Sequence, residues 1–336
     1  MNTAVIGLGY WGPNLVRNFV KHSSVRKVYC YDVDENRVHS ICKEFPAVIA
    51  ASCYEQILND LSVDAIVLST PVASHFDLAL QALEHGKHVL LEKPMTSSVK
   101  QAEQLIDIAN RKSLKLMVDH IFVYNGAVQK IKQIIDSGEI GKIMYFDAVR
   151  INLGLFQHDV NVLWDLATHD LSIMRYLYTK KPRAVSAIGK GHFHQLEDIA
   201  YLTVLFENNC IAHFHVNWLA PVKVRTILIG GSQKMIVYDE METTEKIKVY
   251  DKGVEITSRE GVYKTLIGYR RGDVYVPKFD TSEPLANVVD EFIGAIQKNK
   301  TPLTDGNAGL EIVDILEAAQ KSIAKNGEIV VLDEHK

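Results

Sequence analysis

Ala4-Val5-Ile6-Gly7-Leu8-Gly9-Tyr10-Trp11-Gly12 is the most informative stretch of this 336-residue chain. A short β-branched segment leads directly into Gly-x-Gly-x-x-Gly, and Val28-Tyr29-Cys30-Tyr31-Asp32 then forms a second apolar segment that ends in an acid. Asp32 follows Gly12 by 20 residues (32 minus 12), which is the spacing of a βαβ unit that binds a dinucleotide. The stretch therefore predicts a parallel sheet with a cofactor at its glycine loop.

Each glycine of the motif has a separate role in this prediction. Gly7 permits the tight turn out of the strand, Gly9 lets the backbone approach a pyrophosphate, and Gly12 lets the helix pack closely on the sheet. We expect the helix to begin near Tyr10, so that its N–H groups and Trp11 face the phosphates. An ordinary strand–turn–helix is the alternative interpretation.

The acid at the end of the second strand indicates which dinucleotide binds. A carboxylate at Asp32 can accept hydrogen bonds from both ribose hydroxyls of NAD, and it repels the 2′-phosphate of NADP. Arg37 lies one helical turn further on and weakens that repulsion. The sequence therefore favours NAD over NADP.

Composition and charge exclude several classes of partner. The chain is 47% apolar and 23% charged with a net charge of −4, which gives no electrostatic reason to expect nucleic acid or an anionic membrane. No apolar run approaches the roughly 18 residues that a membrane span needs. The cysteines form no C-x-x-C pair, and the first strand leaves no room for a signal peptide, so we expect reduced thiols and a cytoplasmic location.

The hydrophobic pattern divides the chain in two. Short apolar strands alternate with amphipathic helices up to about Asp119, which predicts a doubly wound α/β (Rossmann) domain over residues 1–120. Residues 121–336 contain long segments of period two between helices, as in Ala212–Trp218. That pattern predicts an α+β domain with a large, mainly antiparallel open sheet.

Two polar clusters follow predicted parallel strands, where such a fold binds its ligands. Ser69-Thr70-Pro71 with His75 forms either a loop beside the nicotinamide or simply a strand end and helix start. Glu92-Lys93-Pro94 follows the buried segment Val89–Leu91. There the Lys93 ammonium can donate to a substrate oxygen, with Glu92 orienting it, unless the two form a plain surface ion pair.

A third cluster lies in the predicted second domain. Asp165 and His169 are four residues apart, which places them on one helical face. A carboxylate that hydrogen-bonds one imidazole nitrogen raises the basicity of the other, as a proton acceptor for an alcohol requires. The alternative is a helix-capping aspartate with an incidental histidine.

The histidine pairs elsewhere are weaker candidates. His192-x-His194 and His213-x-His215 have the spacing of metal ligands on a strand, but the sequence offers no third or fourth ligand. We therefore expect no metal.

Taken in order, the glycine loop, Thr70-Pro71, Glu92-Lys93-Pro94 and Asp165-x-x-x-His169 make the chain resemble the glucose–fructose oxidoreductase / inositol dehydrogenase (Gfo/Idh/MocA) family over nearly its whole length. The resemblance implies a pyridine-nucleotide-dependent oxidoreductase that acts on sugars or polyols. It also implies a catalytic Lys93, an acid–base pair His169 and Asp165, and a homodimer or homotetramer built through the second sheet.

Two further stretches, Gly9–Phe19 and Leu163–Leu166, are similar to the sugar-nucleotide members of that family. This likeness implies hydride transfer at C3 of a pyranose such as that of UDP-N-acetylglucosaminuronate. The residues expected to recognise the sugar, beside His169, are Tyr124, Asn125, Arg150, Asn152, Gln157 and Asn161.

Two other functions stay open at this point. One is an inositol, polyol or free-sugar dehydrogenase of the same family, which would need no cation for a nucleotide phosphate. The other is a non-catalytic NAD-binding regulatory protein, which would have no use for Lys93 or His169.

Overall fold

The computed structural model describes residues 1–154, 159–193, 195–256 and 267–332. The chain divides into two compact units, the first made of Met1–Tyr124 with Ser282–Glu317 and the second of Asn125–Thr281 with Ala318–Lys336. The sequence assigned everything after residue 120 to the second domain. The structure differs, because a later segment returns to the first unit.

The first unit contains a six-stranded parallel sheet with the order β3-β2-β1-β4-β5-β6. Its strands are β1 Asn2–Ile6, β2 Lys27–Tyr31, β3 Val48–Ala50, β4 Ala65–Leu68, β5 His88–Glu92 and β6 Leu116–Asp119. Every residue of β4 is buried, because the crossover helices cover both faces of the sheet. The doubly wound fold predicted from the apolar strands is confirmed.

Helices α1 to α5 connect these strands. They are α1 Gly12–Lys21, α2 Glu35–Glu44, α3 Tyr54–Asn59, α4 Val72–Glu84 and α5 Val99–Arg111. The sequence analysis did not identify α3, whose six residues are too few to show a helical period. Helix α5 begins after Ser98, which caps it by accepting from Gln101 N, and its apolar positions recur every three to four residues.

The returning segment completes the first unit through hydrogen bonds and an ion pair. Val118 N donates to Thr304 O at 2.8 Å, so the segment pairs with the edge strand β6. Arg17 Nη1 donates to Glu283 Oε2 at 3.0 Å and joins α1 to the start of α8 (Pro284–Gln297). These contacts join residues far apart in the chain, so a reading of local patterns did not find them.

The second unit contains a nine-stranded mixed sheet with the order β14-β13-β12-β11-β7-β10-β9-β8-β15. All neighbours are antiparallel except β7 and β10, which are parallel. The strands are β7 Ile143–Leu153, β8 Pro182–Lys190, β9 Ile199–Phe206, β10 Ile211–Asn217, β11 Leu219–Gly231, β12 Met235–Asp239, β13 Ile247–Ile256, β14 Ile267–Tyr275 and β15 Val330–Val331. The predicted large, mainly antiparallel sheet is confirmed.

Period two along these strands separates a covered face from an open one. In β10 the side chains of Ala212, Phe214 and Val216 are buried, and the residues between them are half-buried or exposed. Helices α6 Gly126–Asp136 and α7 Thr168–Leu177 belong to this unit, and a π-helical turn, Leu163–Ala167, precedes α7. Helix α9, Gly306–Ala324, is divided between the units, and its residues from Ala318 onward belong to the second unit.

Two other sequence features have a structural counterpart. All four cysteines are free thiols, and Cys30 and Cys210 are buried. Burial raises the pKa of Cys30 to about 12, so this thiol is unreactive at neutral pH. Over the part of the chain that the structure describes, no helix combines the length and the apolar character needed to cross a bilayer.

Candidate active site

The glycine loop has the geometry that the motif predicts. Gly7 has φ +89°, which side chains rarely adopt, and a Cβ at Gly12 would lie 2.3 Å from Gly7 O. Helix α1 begins at Gly12 and not near Tyr10, since Pro13 suits the first helical turn. Tyr10 is consequently in the turn and 94% exposed.

A cleft of about 720 Å³ opens beside this loop in the first unit. It brings together the loops that follow β1, β2, β4 and β5, all at the carboxyl end of the parallel sheet. Its lining residues are Ile6, Gly7, Gly9, Tyr10, Trp11, Tyr31, Asp32, Val33, Arg37, Ser69, Thr70, Pro71, Ala73, Ser74, Leu78, Glu92 and Lys93. Most of the predicted cofactor residues therefore share one cavity.

Backbone N–H groups fix the carboxylate of Asp32 in the cleft wall. Asp32 Oδ2 accepts from Leu8 N at 2.6 Å, and Asp32 Oδ1 accepts from Asp34 N at 2.9 Å. Arg37 Nη1 lies 3.6 Å from Asp32 Oδ2. Each carboxylate oxygen keeps one acceptor site, as two ribose hydroxyls require.

The loop after β4 is attached to the glycine loop and to the loop after β5. Ser69 Oγ donates to Gly7 O at 2.6 Å. The imidazole of His75 spans two carbonyls, with Nε2 2.8 Å from Thr70 O and Nδ1 3.0 Å from Pro94 O. His75 is only 1% exposed, so its role is to hold the two loops together and not to contact a ligand directly.

Lys93 lies in the cleft wall at the end of β5. The Lys93–Pro94 peptide is cis. Glu92 Oε2 accepts from the backbone N of Lys93 at 3.2 Å, so Glu92 orients the lysine through its main chain.

A buried carboxyl group, Asp119, lies next to Glu92 and was given no role by the sequence analysis. Burial raises the pKa of Asp119 to about 6. The pKa of Glu92 is raised well above its usual range, first by burial and then by the charge of Asp119, although Lys93 opposes the shift. The signal was present in the sequence, because the neighbouring strands β5 and β6 both end in an acid.

In the second unit the π-helical turn and the first turn of α7 carry the predicted acid–base pair. Asp165 lies in the π-helical turn and His169 in α7, so the two remain four residues apart across the junction. Trp218 lies between β10 and β11. Its Nε1 donates to Asp165 Oδ2 at 3.2 Å and so holds this carboxylate in place. Both Asp165 and His169 are half-buried. A π-helical turn inside a helix is frequently found at functional sites.

Arg150, expected to recognise the sugar, is instead part of a buried ion network. Its Nε and Nη2 donate to the two oxygens of Asp170 at 3.0 and 2.8 Å, and Nη2 also donates to Glu240 at 3.0 Å. Burial lowers the pKa of Arg150, but these two carboxylates outweigh that effect and leave it raised. At 2% exposure the guanidinium of Arg150 is not accessible to a substrate, so the prediction that it recognises the sugar was wrong.

Three more residues of that set have structural partners. Asn161 Oδ1 accepts from Leu163 N at 3.1 Å and caps the π-helical turn, and Asn125 Oδ1 accepts from Ala127 N at 2.9 Å and caps α6. Tyr124 is buried, and its hydroxyl lies 3.0 Å from Thr304 Oγ1. These contacts stabilise the fold, because each polar group is already satisfied within its own unit.

The remaining predicted residues have different outcomes. Asn152 is half-buried near the end of β7, two residues from Arg150 and thus on the covered face of the sheet. Gln157 and His194 lie outside the described residues. Among the residues described, no group of three histidine, cysteine or acidic side chains is arranged to hold a metal ion.

NAD fits the first unit on structural grounds. A Cβ at Gly9 would have only Arg37 Nη1 nearby, at 3.7 Å, so the backbone there is open to a pyrophosphate. Helix α1 directs its first N–H groups to the same side as the glycine loop. Glycine loop, helix start and Asp32 thus supply the pyrophosphate and ribose contacts of a dinucleotide.

The doubly wound unit with this cleft defines an NAD-binding oxidoreductase. Family models agree: residues 1–120 match the GFO_IDH_MocA oxidoreductase family with an NAD-binding Rossmann fold, and residues 128–237 match the GFO/IDH/MocA C-terminal domain. The chain belongs to the GFO/IDH/MocA family of NAD-dependent oxidoreductases that act on CH–OH groups. The resemblance seen in the sequence is confirmed.

Individual relatives cover nearly the full length at low identity. A UDP-N-acetylglucosamine 3-dehydrogenase of Acidithiobacillus ferrooxidans is 27% identical over 321 residues, 93% of this chain and 94% of that protein. A solved structure of that enzyme has a TM-score of 0.82 at 23% identity and covers 97% of this chain and 98% of its own. A levoglucosan dehydrogenase in complex with NADH and levoglucosan has a TM-score of 0.84 at 18% identity, with 100% of both chains covered. At these identities the solved structures establish the fold alone.

Proposed function

We propose that the chain transfers hydride between NAD and the C3 carbinol of a nucleotide-linked pyranose such as UDP-N-acetylglucosaminuronate. The observation that carries the proposal is Lys93, whose side chain lines the same cleft as the glycine loop and Asp32. A lysine at the carboxyl end of a parallel strand, in the wall of a dinucleotide cleft, is suited to bind the oxygen of the reacting alcohol.

The chemistry is divided between the cofactor and three side chains. NAD, when bound, supplies the hydride acceptor or donor. His169, with Asp165 as its carboxylate partner, removes the hydroxyl proton in the oxidative direction. The Lys93 ammonium donates a hydrogen bond to the developing alkoxide, and in the reductive direction both groups act as acids.

The choice of a nucleotide sugar rests on a relative with nearly complete coverage, a UDP-N-acetylglucosamine 3-dehydrogenase. Among the described residues, Asn152 is the one we retain for contact with the sugar, because its amide lies on the covered face of β7 near the strand end. An amide both donates and accepts, as sugar hydroxyls require.

A free sugar or polyol is the second candidate substrate. The burial of Arg150 favours it, because this cation of the predicted sugar-recognition set is engaged by Asp170 and Glu240 and so does not reach a nucleotide phosphate. A scyllo-inositol 2-dehydrogenase (NAD(+)) of Bacillus subtilis is 28% identical over 193 residues, 56% of this chain.

A substrate panel with NAD present separates the two candidates. The panel contains UDP-N-acetylglucosaminuronate, UDP-N-acetylglucosamine, scyllo-inositol and levoglucosan, and the readouts are thermal stabilisation and NADH formation. Selective binding to the native state raises the unfolding temperature by mass action. We expect stabilisation and turnover with a nucleotide sugar; a response to the free sugars alone would establish the second candidate.

Lys93→Ala and His169→Ala test the catalytic assignment on whichever substrate responds. Each is expected to lower kcat by roughly two to four powers of ten and to leave NAD affinity largely unchanged. Lys100→Ala on α5 and His39→Ala on α2, both exposed, are the matched controls and should behave as the unmodified protein. Near-normal turnover of both test variants would reject the mechanism.

We also propose that the open face of the second unit's sheet joins two copies of the chain. Tyr201 is 45% exposed there and stacks on His215 with ring centroids 4.6 Å apart, and Ile211 is 44% exposed. An apolar and aromatic face of this kind suits self-association. Sedimentation should find a dimer or tetramer that Tyr201→Glu dissociates; a monomer at all concentrations would contradict the proposal.

A further inference from the structure

Glu92 and Asp119 occupy equivalent positions on neighbouring strands. They are register partners at the carboxyl ends of the parallel strands β5 and β6, so their side chains emerge at one level of the sheet. The two carboxyl groups influence each other's pKa, so they interact directly. Asp119 is 2% exposed, and Glu92 Oε1 is buried although Glu92 as a whole is half-buried.

A count of hydrogen bonds over the part of the chain that the structure describes leaves one buried oxygen of each carboxyl group without a donor. Glu92 Oε2 accepts from Lys93 N, and Asp119 Oδ2 accepts from Trp11 Nε1 at 3.3 Å. Glu92 Oε1 and Asp119 Oδ1 are buried and have no donor among the described residues. Two ionised carboxylates can only accept, so this contact needs one proton between them.

The energetics agree with that count. A buried acceptor without a donor costs about 1–3 kcal/mol, and two like charges in contact add repulsion. A single shared proton removes both penalties, as in other carboxyl pairs that titrate in two separate steps. The pair then carries one negative charge, and its member Glu92 directly precedes Lys93 in the chain.

We propose that Glu92 and Asp119 share one proton at neutral pH, and that the single charge of the pair positions the Lys93 ammonium in the cleft. Glu92 donates its proton to Asp119 Oδ1, and the charge on Asp119 is held by Trp11. Both acids are positioning residues, because they act on the reaction through Lys93. The shared proton stands by itself, whereas the role toward Lys93 rests on the proposed function.

Few other titratable groups surround the pair. Lys93 follows Glu92 at the end of β5, and His120 follows Asp119 at the end of β6. Tyr124 lies on the 3₁₀ turn after β6, and its pKa is raised by burial and, to a smaller extent, by the Asp119 charge. Tyr124 therefore stays neutral, and Lys93 is the fixed cation that opposes the charge of the pair.

Infrared spectroscopy of the cofactor-free protein in D₂O tests the shared proton without any activity measurement. The unmodified protein should show a carboxylic-acid C=O band at neutral pH that Glu92→Gln removes, because the amide then donates to Asp119 in its place. Glu44→Gln, an exposed acid on α2, should leave the band unchanged. Identical spectra of the unmodified protein and Glu92→Gln would overturn the proposal.

A second variant keeps this test independent of how well Glu92→Gln folds. In the unmodified protein a further acid band should grow as the pH falls through about 6, when Asp119 takes up its own proton. Asp119→Asn should lack that step. Persistence of the step in a folded Asp119→Asn protein would also overturn the proposal.

Kinetics test the role toward Lys93. Glu92→Gln retains the one negative charge of Asp119, and Glu92→Gln/Asp119→Asn retains none at nearly the same side-chain volume. The pH profile of kcat/KM should differ between the single and the double variant, because the double variant removes the remaining charge of the pair. Coincident profiles would reject the positioning role, and a fully active Lys93→Ala would reject the proposed function while leaving the infrared result intact.

Discussion

The two units of this protein both bury carboxyl groups, and they compensate the buried charge in different ways. In the first unit Glu92 faces Asp119, and a proton is the proposed compensation. In the second unit Asp170 and Glu240 face the guanidinium of Arg150. A guanidinium is charged at every accessible pH, whereas a proton exchanges with solvent. Of the two arrangements, only the carboxyl pair of the first unit is therefore able to change its charge near neutral pH.

The largest effect should come from removing the guanidinium of Arg150. Arg150→Met leaves the buried Asp170 without its cation, while Glu240 keeps its ion pair with Arg225, so we expect the free energy of unfolding to fall by about 3–5 kcal/mol. Urea unfolding measures the loss. Arg183→Met, at an exposed position of β8, is the control and should stay within about 0.5 kcal/mol. A loss below about 1 kcal/mol for Arg150→Met would mean that the network is not held by charge.

Removing one acid of the first unit should have an intermediate effect, with a definite dependence on pH. Burial raises the pKa of Asp119 to about 6. Because the native state then binds this proton more tightly than the unfolded chain, stability falls as pH rises from about 4 to about 6 and stays low above it. The loss amounts to about 2–3 kcal/mol.

Asp119→Asn should abolish that fall. Relative to the unmodified protein, the variant should gain stability between pH 4 and neutral pH by about 2–3 kcal/mol, whatever its stability at either end. Urea unfolding across this range provides the comparison, with Asp107→Asn on the exposed side of α5 as control. Parallel curves for both proteins would show that Asp119 titrates as an ordinary surface acid.

The smallest effect concerns the hydroxyl group of Tyr238, near the buried ion network of Arg150. Tyr238 is buried, and its hydroxyl has no hydrogen-bond partner among the described residues. Tyr238→Phe should therefore leave the free energy of unfolding unchanged or raise it by up to about 1 kcal/mol. Tyr54→Phe is the matched comparison, because the buried Tyr54 hydroxyl donates to Leu78 O at 2.7 Å and its loss should destabilise by about 1 kcal/mol. Equal effects would contradict this difference.

The sequence was sufficient for the parts of the fold that depend on local pattern. The glycine loop, Asp32, the covered strands and the alternating strands of the second sheet all follow from residue type and spacing. The cleft could be predicted because parallel strands place their carboxyl ends at one edge of the sheet. Gly9 and Lys93 therefore line the same cleft.

Other parts of the site depend on pairings between distant residues. Arg150 is a plausible sugar ligand in the sequence, and only its contact with Glu240, 90 residues away, shows that it is buried in an ion network. Asn161 and Asn125 are chemically suited to bind hydroxyls, yet backbone N–H groups two residues on already occupy their side chains. His75 likewise turned out to connect loops, because its two ring nitrogens meet carbonyls that no local pattern reveals.

The return of Ser282–Glu317 to the first unit has a practical consequence for dissecting the molecule. An N-terminal fragment ending at Tyr124 would keep every glycine and acid of the cleft, but it would lose the Thr304 carbonyl that pairs with Val118. It would also uncover the apolar surface that Leu285, Val288 and Phe292 now shield. Such a fragment should aggregate, whereas a fusion of residues 1–124 to residues 282–317 through a short flexible linker should yield an autonomous NAD-binding protein.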